Sequence, residues 1–346
     1  MKKQPLFNKI NREVLKKDLL NETFQRVTVS FYKYFEIQSP ISFRDDLYKK
    51  LDRLKIFGRV YIAKEGINAQ ISVPAYNWNV FKQKLEKIKE LKDISLKKAL
   101  QDGKSFYKLV VKVKKELVAY NVPKSSYNIQ KTGKHLTAKQ FNKALESPET
   151  LIVDMRNYYE SEVGRFKGAI IPNVETSKEL LPKVKNLLEG KEKEKILLYC
   201  TGGIRCEKAS SFLMQNGFRN VNQLQGGIIQ YAHEVKEKGF DSKFIGKNFV
   251  FDERLGERVT EDIISFCHIC KSPCDNHTDC KNNACHILFI QCNRCSRMLK
   301  GCCSEECKDF ALLPLEEQKL LRKDPDKVVS KTFFDSRIKP KLKEQV

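Results

Sequence analysis

The strongest chemical signal in the chain is a cysteine that ends an apolar segment and precedes a short loop with two glycines. Cys200 is followed by the loop residues Thr201, Gly202, Gly203, Ile204 and Arg205. The glycines allow backbone N–H groups to turn towards the sulfur as an anion nest, and the next helix adds the positive charge of its N-terminus. Arg205 adds a full charge. The pattern therefore predicts a reactive thiolate at Cys200, with a pKa below the ~8.5 of an ordinary cysteine.

Cys206 is a second candidate thiol, at the start of the helix that follows the loop. It could resolve a persulfide on Cys200 as a disulfide, or support redox turnover, since a helix start also favours its thiolate. It could equally be a small residue packed beneath the loop. Both interpretations stay open on sequence alone, because a disulfide needs a geometry that spacing does not give.

Ten of the twelve cysteines lie in residues 267–307. Two C-x-x-C pairs, Cys267 with Cys270 and Cys292 with Cys295, are separated by 21 residues, near the spacing of zinc ribbons. Each pair can give two thiolates to one tetrahedral Zn²⁺ ion, so these four residues are the candidate zinc ligands. The other cysteines and three histidines could supply a second site; the alternatives are an iron–sulfur cluster or disulfides formed on oxidation. The histidines are His268, His277 and His286.

The elements around Cys200 predict a parallel α/β domain over residues 126–240. Short apolar strands are expected at 151–154, 168–171, 195–200 and 220–225, with helices between them. This alternation is typical of a parallel sheet covered on both faces. Ligands of such sheets bind beyond the carboxyl ends of the strands, which is where Cys200 lies.

Residues 1–125 have a different order of elements, which predicts a ferredoxin-like α+β domain. Strands are expected at 27–35, 58–63 and 67–73, helices at 43–57 and 78–91, and one or two strands within 106–120. The order βαββαβ is that of a split βαβ sandwich. Beyond the α/β domain, residues 241–312 form a Cys-rich, metal-binding segment, and residues 313–346 are expected to be a helix fraying into a basic tail.

Positive charge is concentrated in the first domain. The chain has a formal net charge of +22, and residues 1–125 carry +15 of it, with 28 Lys and Arg against 13 Asp and Glu. Such a domain favours a polyanionic partner. Tyr32, Tyr34 and Tyr61 could stack on nucleic-acid bases, or could instead pack one face of a strand. Without an apolar run long enough for a membrane helix, and without a secretory signal, the sequence predicts a cytoplasmic protein.

The surroundings of Cys200 resemble those of rhodanese-like domains. Residues 200–205 match the six-residue active-site loop of that family, and Val153-Asp-Met-Arg156, Gly164-Arg-Phe-Lys-Gly-Ala169 with Pro172, and Gly226-Gly227 match its other motifs. The resemblance implies that the loop cysteine carries a persulfide. Phosphatases of the same fold have a loop one residue longer, so the six-residue loop favours sulfur chemistry.

Nearly the whole chain, roughly residues 25–312, resembles the bacterial tRNA uridine 5-hydroxylase family. The motifs are Lys-Glu-Gly-Ile-Asn-Ala-Gln at 64–70, Cys-Thr-Gly-Gly-Ile-Arg-Cys-Glu-Lys-Ala-Ser at 200–210 and Gly-Lys-Asn-Phe-Val-Phe-Asp-Glu-Arg at 246–254. The resemblance implies oxygen-dependent formation of 5-hydroxyuridine at the wobble position of tRNA. It also implies that Cys200 is required, that O2 is a co-substrate and that the anticodon region of tRNA is the partner.

Three functions follow from these observations. The leading one is a tRNA-modifying hydroxylase in which Arg205 and residues 201–205 stabilise a thiolate or persulfide on Cys200. The alternative is a persulfide sulfurtransferase that acts on a small acceptor or in tRNA thiolation, since sulfurtransferases share this loop. An intact Cys200 and Arg205 argue against the third, a non-catalytic tRNA-binding module. The sequence shows no flavin or nicotinamide motif and no set of two histidines and a carboxylate for iron.

Overall fold

The computed structural model describes residues 10–285 and 287–323, together with Leu6 and Asn8. His286 and residues 324–346 of the predicted basic tail lie outside the described residues. The described part divides along the chain into an α+β domain, a parallel α/β domain and a Cys-rich segment. The predicted fold classes are therefore confirmed.

The N-terminal domain is a five-stranded sheet with two of its helices packed on one face. Its elements are α1 (Arg12–Leu20), β1 (Arg26–Tyr34), α2 (Pro40–Asp52), β2 (Phe57–Ala63), β3 (Gly66–Pro74), α3 (Trp78–Glu86), β4 (Lys97–Lys98) and β5 (Leu109–Val113). The strand order is β4-β1-β3-β2-β5, and the first four strands have the ferredoxin-like arrangement. The strand that completes this arrangement is the two-residue β4, not the expected strand within 106–120, which contains β5 as an added edge strand parallel to β2.

Side-chain alternation along β1 gives the sheet two different faces. Val29 and Phe31 are buried in the core beneath α2 and α3, where Leu47 and Phe81 pack in the same cluster. Successive residues of a strand point to opposite faces, so Ser30 and its alternate neighbours lie on the side away from these helices. That second face meets the α/β domain.

The α/β domain is built on a four-stranded parallel sheet. Its elements are β6 (Lys134–Leu136), α4 (Ala138–Ala144), β7 (Leu151–Asp154), α5 (Tyr158–Glu162), β8 (Gly164–Phe166), α6 (Ser177–Leu187), β9 (Lys195–Tyr199), α7 (Ile204–Gln215), β10 (Asn220–Leu224) and α8 (Gly227–Lys238). The strand order is β6-β10-β9-β7. Apolar clusters cover both faces, as the strand composition predicts.

One expected strand of this domain, 168–171, is not a strand. Only Ile170 makes a single bridge, to Val153 of β7, and Pro172 has no N–H with which to extend the pairing. The nearby β8 instead joins a separate antiparallel sheet, because Phe166 packs among aromatic rings that include Tyr231. A side chain at Gly164 would collide with the backbone of Lys247 in the neighbouring strand, so this pairing requires glycine.

The Cys-rich segment is a set of short elements that pack on the α/β domain. They are β11 (Phe244–Asn248), β12 (Glu257–Arg258), β13 (His277–Asp279), β14 (Leu288–Ile290), α9 (Asn293–Met298), α10 (Glu305–Leu312) and α11 (Leu315–Lys323). Val163 of the α/β domain shares a buried cluster with Cys267, Cys274 and Cys295. His268 also forms an ion pair with Glu162, at 2.9 Å.

Candidate active site

The loop that follows β9 places Cys200 at the carboxyl end of the sheet. Its side chain is fully buried, and its sulfur accepts a hydrogen bond from the backbone N–H of Gly203 at 3.2 Å. Gly203 has φ +102°, and a Cβ there would lie 2.7 Å from the hydroxyl oxygen of Tyr32. Glycine is therefore required at this position both for the turn and for the approach of the N-terminal domain.

The charge balance around the sulfur favours the thiolate. Burial opposes ionisation of Cys200, but the Cys206 thiol, the charge of Arg205 and the backbone N–H groups of Cys206 and Gly203 outweigh it and lower its pKa to about 6. At neutral pH most Cys200 side chains therefore carry a negative charge. This direction is the one that the loop sequence predicts.

Cys206 is a second buried thiol, and it favours the thiolate form of Cys200. It is fully buried in the same apolar cluster as Cys200. Burial, then the hydrogen bond to Cys200, raise its pKa well above the ordinary value, so the Cys206 thiol keeps its proton. Both cysteines are free thiols. The burial of Cys206 fits the interpretation of a small residue packed beneath the loop, from which its protonated thiol favours the Cys200 thiolate; a role in resolving a persulfide stays a prediction.

Arg205 is held by a carboxylate that sequence reasoning missed. Its two terminal nitrogens donate to the two oxygens of Glu160 at 2.6 and 2.8 Å, and Nη2 also donates to the Thr201 hydroxyl at 3.0 Å. Glu160, fully buried, also accepts from the backbone N–H of Asn157 in a capping box at the start of α5. The spacing Asn157-x-x-Glu160 could have indicated the cap, but not the partner 45 residues away.

A cavity of about 650 Å³ lies over Cys200, between the two domains. One wall contains Cys200, Thr201, Gly202, Ile204 and Arg205; the opposite wall is the helix-free face of the N-terminal sheet. The sheet residues that line it are Thr28, Ser30, Tyr32, Arg59, Tyr61, Asn68, Gln70 and Lys97. Segments around Tyr159 and Phe251 close the sides.

Strand register arranges this sheet face in two rows. Asn68 of β3 is flanked by Tyr32 of β1 and Tyr61 of β2, while Gln70 is flanked by Ser30 and Arg59. Among the described residues, no hydrogen-bond partner is recorded for the side-chain amide of Asn68 or Gln70. Both amides lie in the 64–70 motif, to which the sequence alone assigned no task. The cavity wall therefore offers two free amides between aromatic rings.

The start of α7 joins the two domains. Glu207 accepts hydrogen bonds from the Tyr32 hydroxyl at 3.0 Å and from Gln223 at 3.0 Å. The next residue, Lys208, is fully buried and pairs with Glu65 and Glu116, both at 2.9 Å. Of the three tyrosines considered for base stacking, Tyr32 and Tyr61 line the cavity. The third, Tyr34, donates its hydroxyl to the backbone of Ile204 at the domain contact.

Two groups of four cysteines have the geometry of metal sites. Cys267, Cys270, Cys292 and Cys295 form one group, as spacing suggested; Cys280, Cys285, Cys303 and Cys307 form the other. In each group the four sulfurs lie within 4.8 Å of one another. Sulfur pairs stand at 3.6 Å in the first group and at 3.6 and 3.7 Å in the second. A tetrahedral site with Zn–S bonds of about 2.3 Å has sulfur–sulfur distances of about 3.8 Å, so both groups fit such an ion.

The other candidate ligands are used differently. Cys274 and Cys302 belong to neither group. His268 contacts Glu162, and His277 is buried against the ring of Phe249. No helix of the described chain is long and apolar enough to cross a membrane.

Comparison with known proteins agrees with this architecture. Family models match in chain order: the UPF0176 acylphosphatase-like domain at residues 26–117, the rhodanese-like domain at 137–234 and the rhodanese C-terminal domain at 245–308. A protein of Leptospira interrogans named tRNA uridine(34) hydroxylase is 48% identical over 99% of this chain and 94% of its own length. Proteins of the same name from Photorhabdus laumondii and Yersinia pestis are each 50% identical over 92% of this chain, and the matches cover 91% and 90% of their lengths. With this identity along almost the entire sequence, the chain belongs to the tRNA uridine(34) hydroxylase family.

Proposed function

We propose that this protein hydroxylates C5 of the wobble uridine of tRNA, forming 5-hydroxyuridine with O2 as co-substrate. The observation that carries the proposal is a buried thiolate, Cys200, facing a cavity between the two domains in a chain about half identical to proteins named for this activity. One oxygen atom of O2 enters the base, and the other leaves as water. The balance requires two electrons and two protons, which we assign to an external thiol reductant.

The cavity suits a single pyrimidine base. Uracil presents one N–H donor between two carbonyl acceptors, and side-chain amides can both donate and accept along such an edge. Asn68 and Gln70 supply two amides, and Tyr32 and Tyr61 flank Asn68 on the same face. Because Cys200 lies on the opposite wall, a base bound to the amides would lie between the two. The base must leave the anticodon stack to enter, which is the strategy of enzymes that modify bases.

The basic N-terminal domain is the proposed contact for the phosphates of the anticodon arm. It carries +15 of the chain's charge and forms one wall of the cavity. Phosphate contacts by Lys and Arg release counterions, so the affinity for tRNA will fall steeply as salt increases. We also place the protein in the cytoplasm, where tRNA is available and reducing conditions keep its cysteines as thiols or metal ligands.

We assign Zn²⁺ to both cysteine groups, with a structural role. All eight ligands are thiols, a donor set that suits zinc, and the ligand pairs alternate along the chain. The first and third pairs form one site and the second and fourth the other, so each ion closes a loop that contains a ligand pair of its neighbour. Metal removal is therefore expected to unfold the whole segment rather than half of it.

The test is nucleoside mass spectrometry of tRNA from a strain that lacks the gene and carries either the wild-type protein or Cys200→Ser. Serine is close in volume, but its hydroxyl stays protonated near neutral pH. We expect no 5-hydroxyuridine with Cys200→Ser, while the purified variant keeps its tRNA affinity. A wild-type amount of 5-hydroxyuridine would overturn the role of Cys200. Thiolated tRNA lost in place of 5-hydroxyuridine would favour the sulfurtransferase alternative.

A further inference from the structure

The N-terminal domain brings a buried lysine to the cavity that contains Cys200. Lys97 of β4 is only 8% exposed, yet among the described residues no carboxylate forms an ion pair with it. Its ammonium group lies over the ring of Tyr32, 4.6 Å from the ring centre. A buried charge normally has a charged partner, because removal from water disfavours it. A buried ammonium group without a carboxylate partner, located beside a cavity, indicates that the cavity contains an anion that this group stabilises.

Backbone pairing aims this side chain at the cavity. In the register of β4 with β1, Lys97 pairs with Ser30 on the cavity face, and Lys98 pairs with Val29 on the opposite face. The end of the Lys97 stem passes 3.3 Å from the position that a Cβ on Gly226 would occupy. Gly226 and Gly227 form the turn that contacts the Cys200 loop, where Ile228 donates its backbone N–H to the carbonyl of Cys200 at 3.0 Å. Lys97 thus reaches the cavity alongside this loop.

The other charged and titratable groups that act on the ionisation of Cys200 are already engaged. Among the further cations that line the cavity, Arg254 is paired with Asp252 and Glu257, and Arg59 donates to the backbone carbonyl of Phe251 at 2.9 Å. From α7, Arg205 is paired with Glu160, the Cys206 thiol favours the Cys200 thiolate, and Glu207 is bonded to Tyr32, Gln223 and His135. Tyr32 of β1 and Tyr120, which follows β5, stay protonated because burial raises the pKa of each. Burial lowers the pKa of Lys97, while the negative charges of Cys200 and Glu207 raise it. Of the cations that act on the ionisation of Cys200, Lys97 is the one that shares its charge with no carboxylate at ion-pair distance.

We propose that Lys97 is a positioning residue of the site, whose ammonium group stabilises the sulfur anion carried by Cys200. The N-terminal domain then does more than bind tRNA: it completes the electrostatic environment of the thiol. The inference rests on the proposed function only in taking Cys200 as the reactive group. The test of this inference requires neither tRNA nor oxygen. The inference about Lys97 can therefore be refuted while the proposed function stands, and the proposed function can be refuted while the inference stands.

The test is the pH dependence of alkylation of Cys200 by iodoacetamide in the full-length protein. Trypsin releases Cys200 in the peptide 196–205, between Lys195 and Arg205, which contains no other cysteine, so mass spectrometry reads this thiol alone. The variants are Lys97→Met, Lys97→Arg and the matched control Lys98→Met. Lys98 is the next residue of the same strand, but its exposed side chain lies over Trp78 on the other face.

We expect Lys97→Met to raise the apparent pKa of Cys200 by at least about half a unit, which slows alkylation below that pKa about threefold. Lys97→Arg and Lys98→Met should keep the wild-type profile, since both preserve a charge at 97. If Lys97→Met fails to fold, Lys97→Gln against Lys97→Arg makes the same comparison. Coincident profiles for wild type and a neutral variant would overturn the proposal. So would an unchanged profile with weakened tRNA affinity, because Lys97 would then bind a phosphate.

Discussion

Separating Arg205 from Glu160 should affect stability and thiol reactivity in different ways. We consider Arg205→Met, Glu160→Gln and the double variant. In the wild type, the two side chains form a bidentate pair, with Glu160 fully buried and Arg205 11% exposed. Each single variant leaves one charged or hydrogen-bonding group without its partner, whereas the double variant removes both charges together.

The expected changes in the free energy of unfolding and in the pKa of Cys200 follow from the burial of this pair. Loss of one member of a buried ion pair costs about 3–5 kcal/mol, because the remaining charge stays out of water without compensation. Two independent losses would add to about 6–10 kcal/mol, but the double variant should cost little more than one single change, since it leaves no unpaired charge. For the thiol, Arg205→Met removes a charge that lowers the pKa of Cys200, now about 6. A rise to about 8 would cut the thiolate fraction at pH 7 roughly tenfold. Glu160→Gln removes no cation and should not raise this pKa.

Two measurements read these effects separately. Hydrogen exchange of the β9 and α7 peptides, followed by mass spectrometry, gives the free energy of opening of this domain alone. Iodoacetamide alkylation gives the pH profile of Cys200, which is followed on the peptide 196–205 wherever Arg205 is present. Arg205→Met removes that trypsin site, so Cys200 is then released together with Cys206 in the peptide 196–208, and fragment ions identify which cysteine is alkylated. The double variant should recover stability relative to the sum of the single changes, but should keep the slow alkylation of Arg205→Met. Additive free energies, or fast alkylation without Arg205, would refute the assignment of this pair as one buried unit that tunes the thiol.

Three further predictions follow from the site. Cys206→Ala should raise the apparent pKa of Cys200 by removing its hydrogen-bond donor, so hydroxylation at pH 6 should fall more than at pH 8; equal loss at both would indicate instead that both thiols take part in the chemistry. Asn68→Leu should reduce the preference for an anticodon stem-loop with uridine at position 34 over one with an abasic site there, while the salt dependence of binding stays unchanged; a preference equal to wild type would rule out base contact by Asn68. Serine at Cys270 or at Cys285 should lower bound zinc by more than one ion per chain, measured by atomic emission on reductively purified protein, because the two sites share their loops; loss of one ion only would show independent sites.

Local patterns predicted most of what lies close together in the sequence. The strand before Cys200, the glycine loop and the helix after it form one continuous stretch, so the direction of the Cys200 pKa shift could be worked out before the structure. The first cysteine group could also be predicted, because the spacing of two C-x-x-C pairs indicates which four cysteines bind one ion together. The second was not, since Cys280 and Cys285, like Cys303 and Cys307, have spacings that several pairings would satisfy.

Features that depend on contacts between distant segments of the chain could not be predicted from the sequence. Glu160 meets Arg205 across 45 residues, and Lys97 reaches the Cys200 loop from another domain. The two-residue β4 is too short to show a hydrophobic period, so the sequence pattern places the closing strand further along the chain, within 106–120. The 64–70 motif was visible, but the direction of Asn68 and Gln70 follows only from the register of β3 with its neighbours.

Lys208, which is buried where the two domains meet, restricts which N-terminal domains can be joined to this α/β domain. The ammonium group of Lys208 has three hydrogens, and its three acceptors are Glu65, Glu116 and the carbonyl of Val118, all from segments that precede the α/β domain. A chimera that fused residues 126–323 to an unrelated N-terminal domain would leave this fully buried charge without acceptors, a loss of several kcal/mol. Exchange of either domain therefore requires a matching change at position 208 or at both carboxylates.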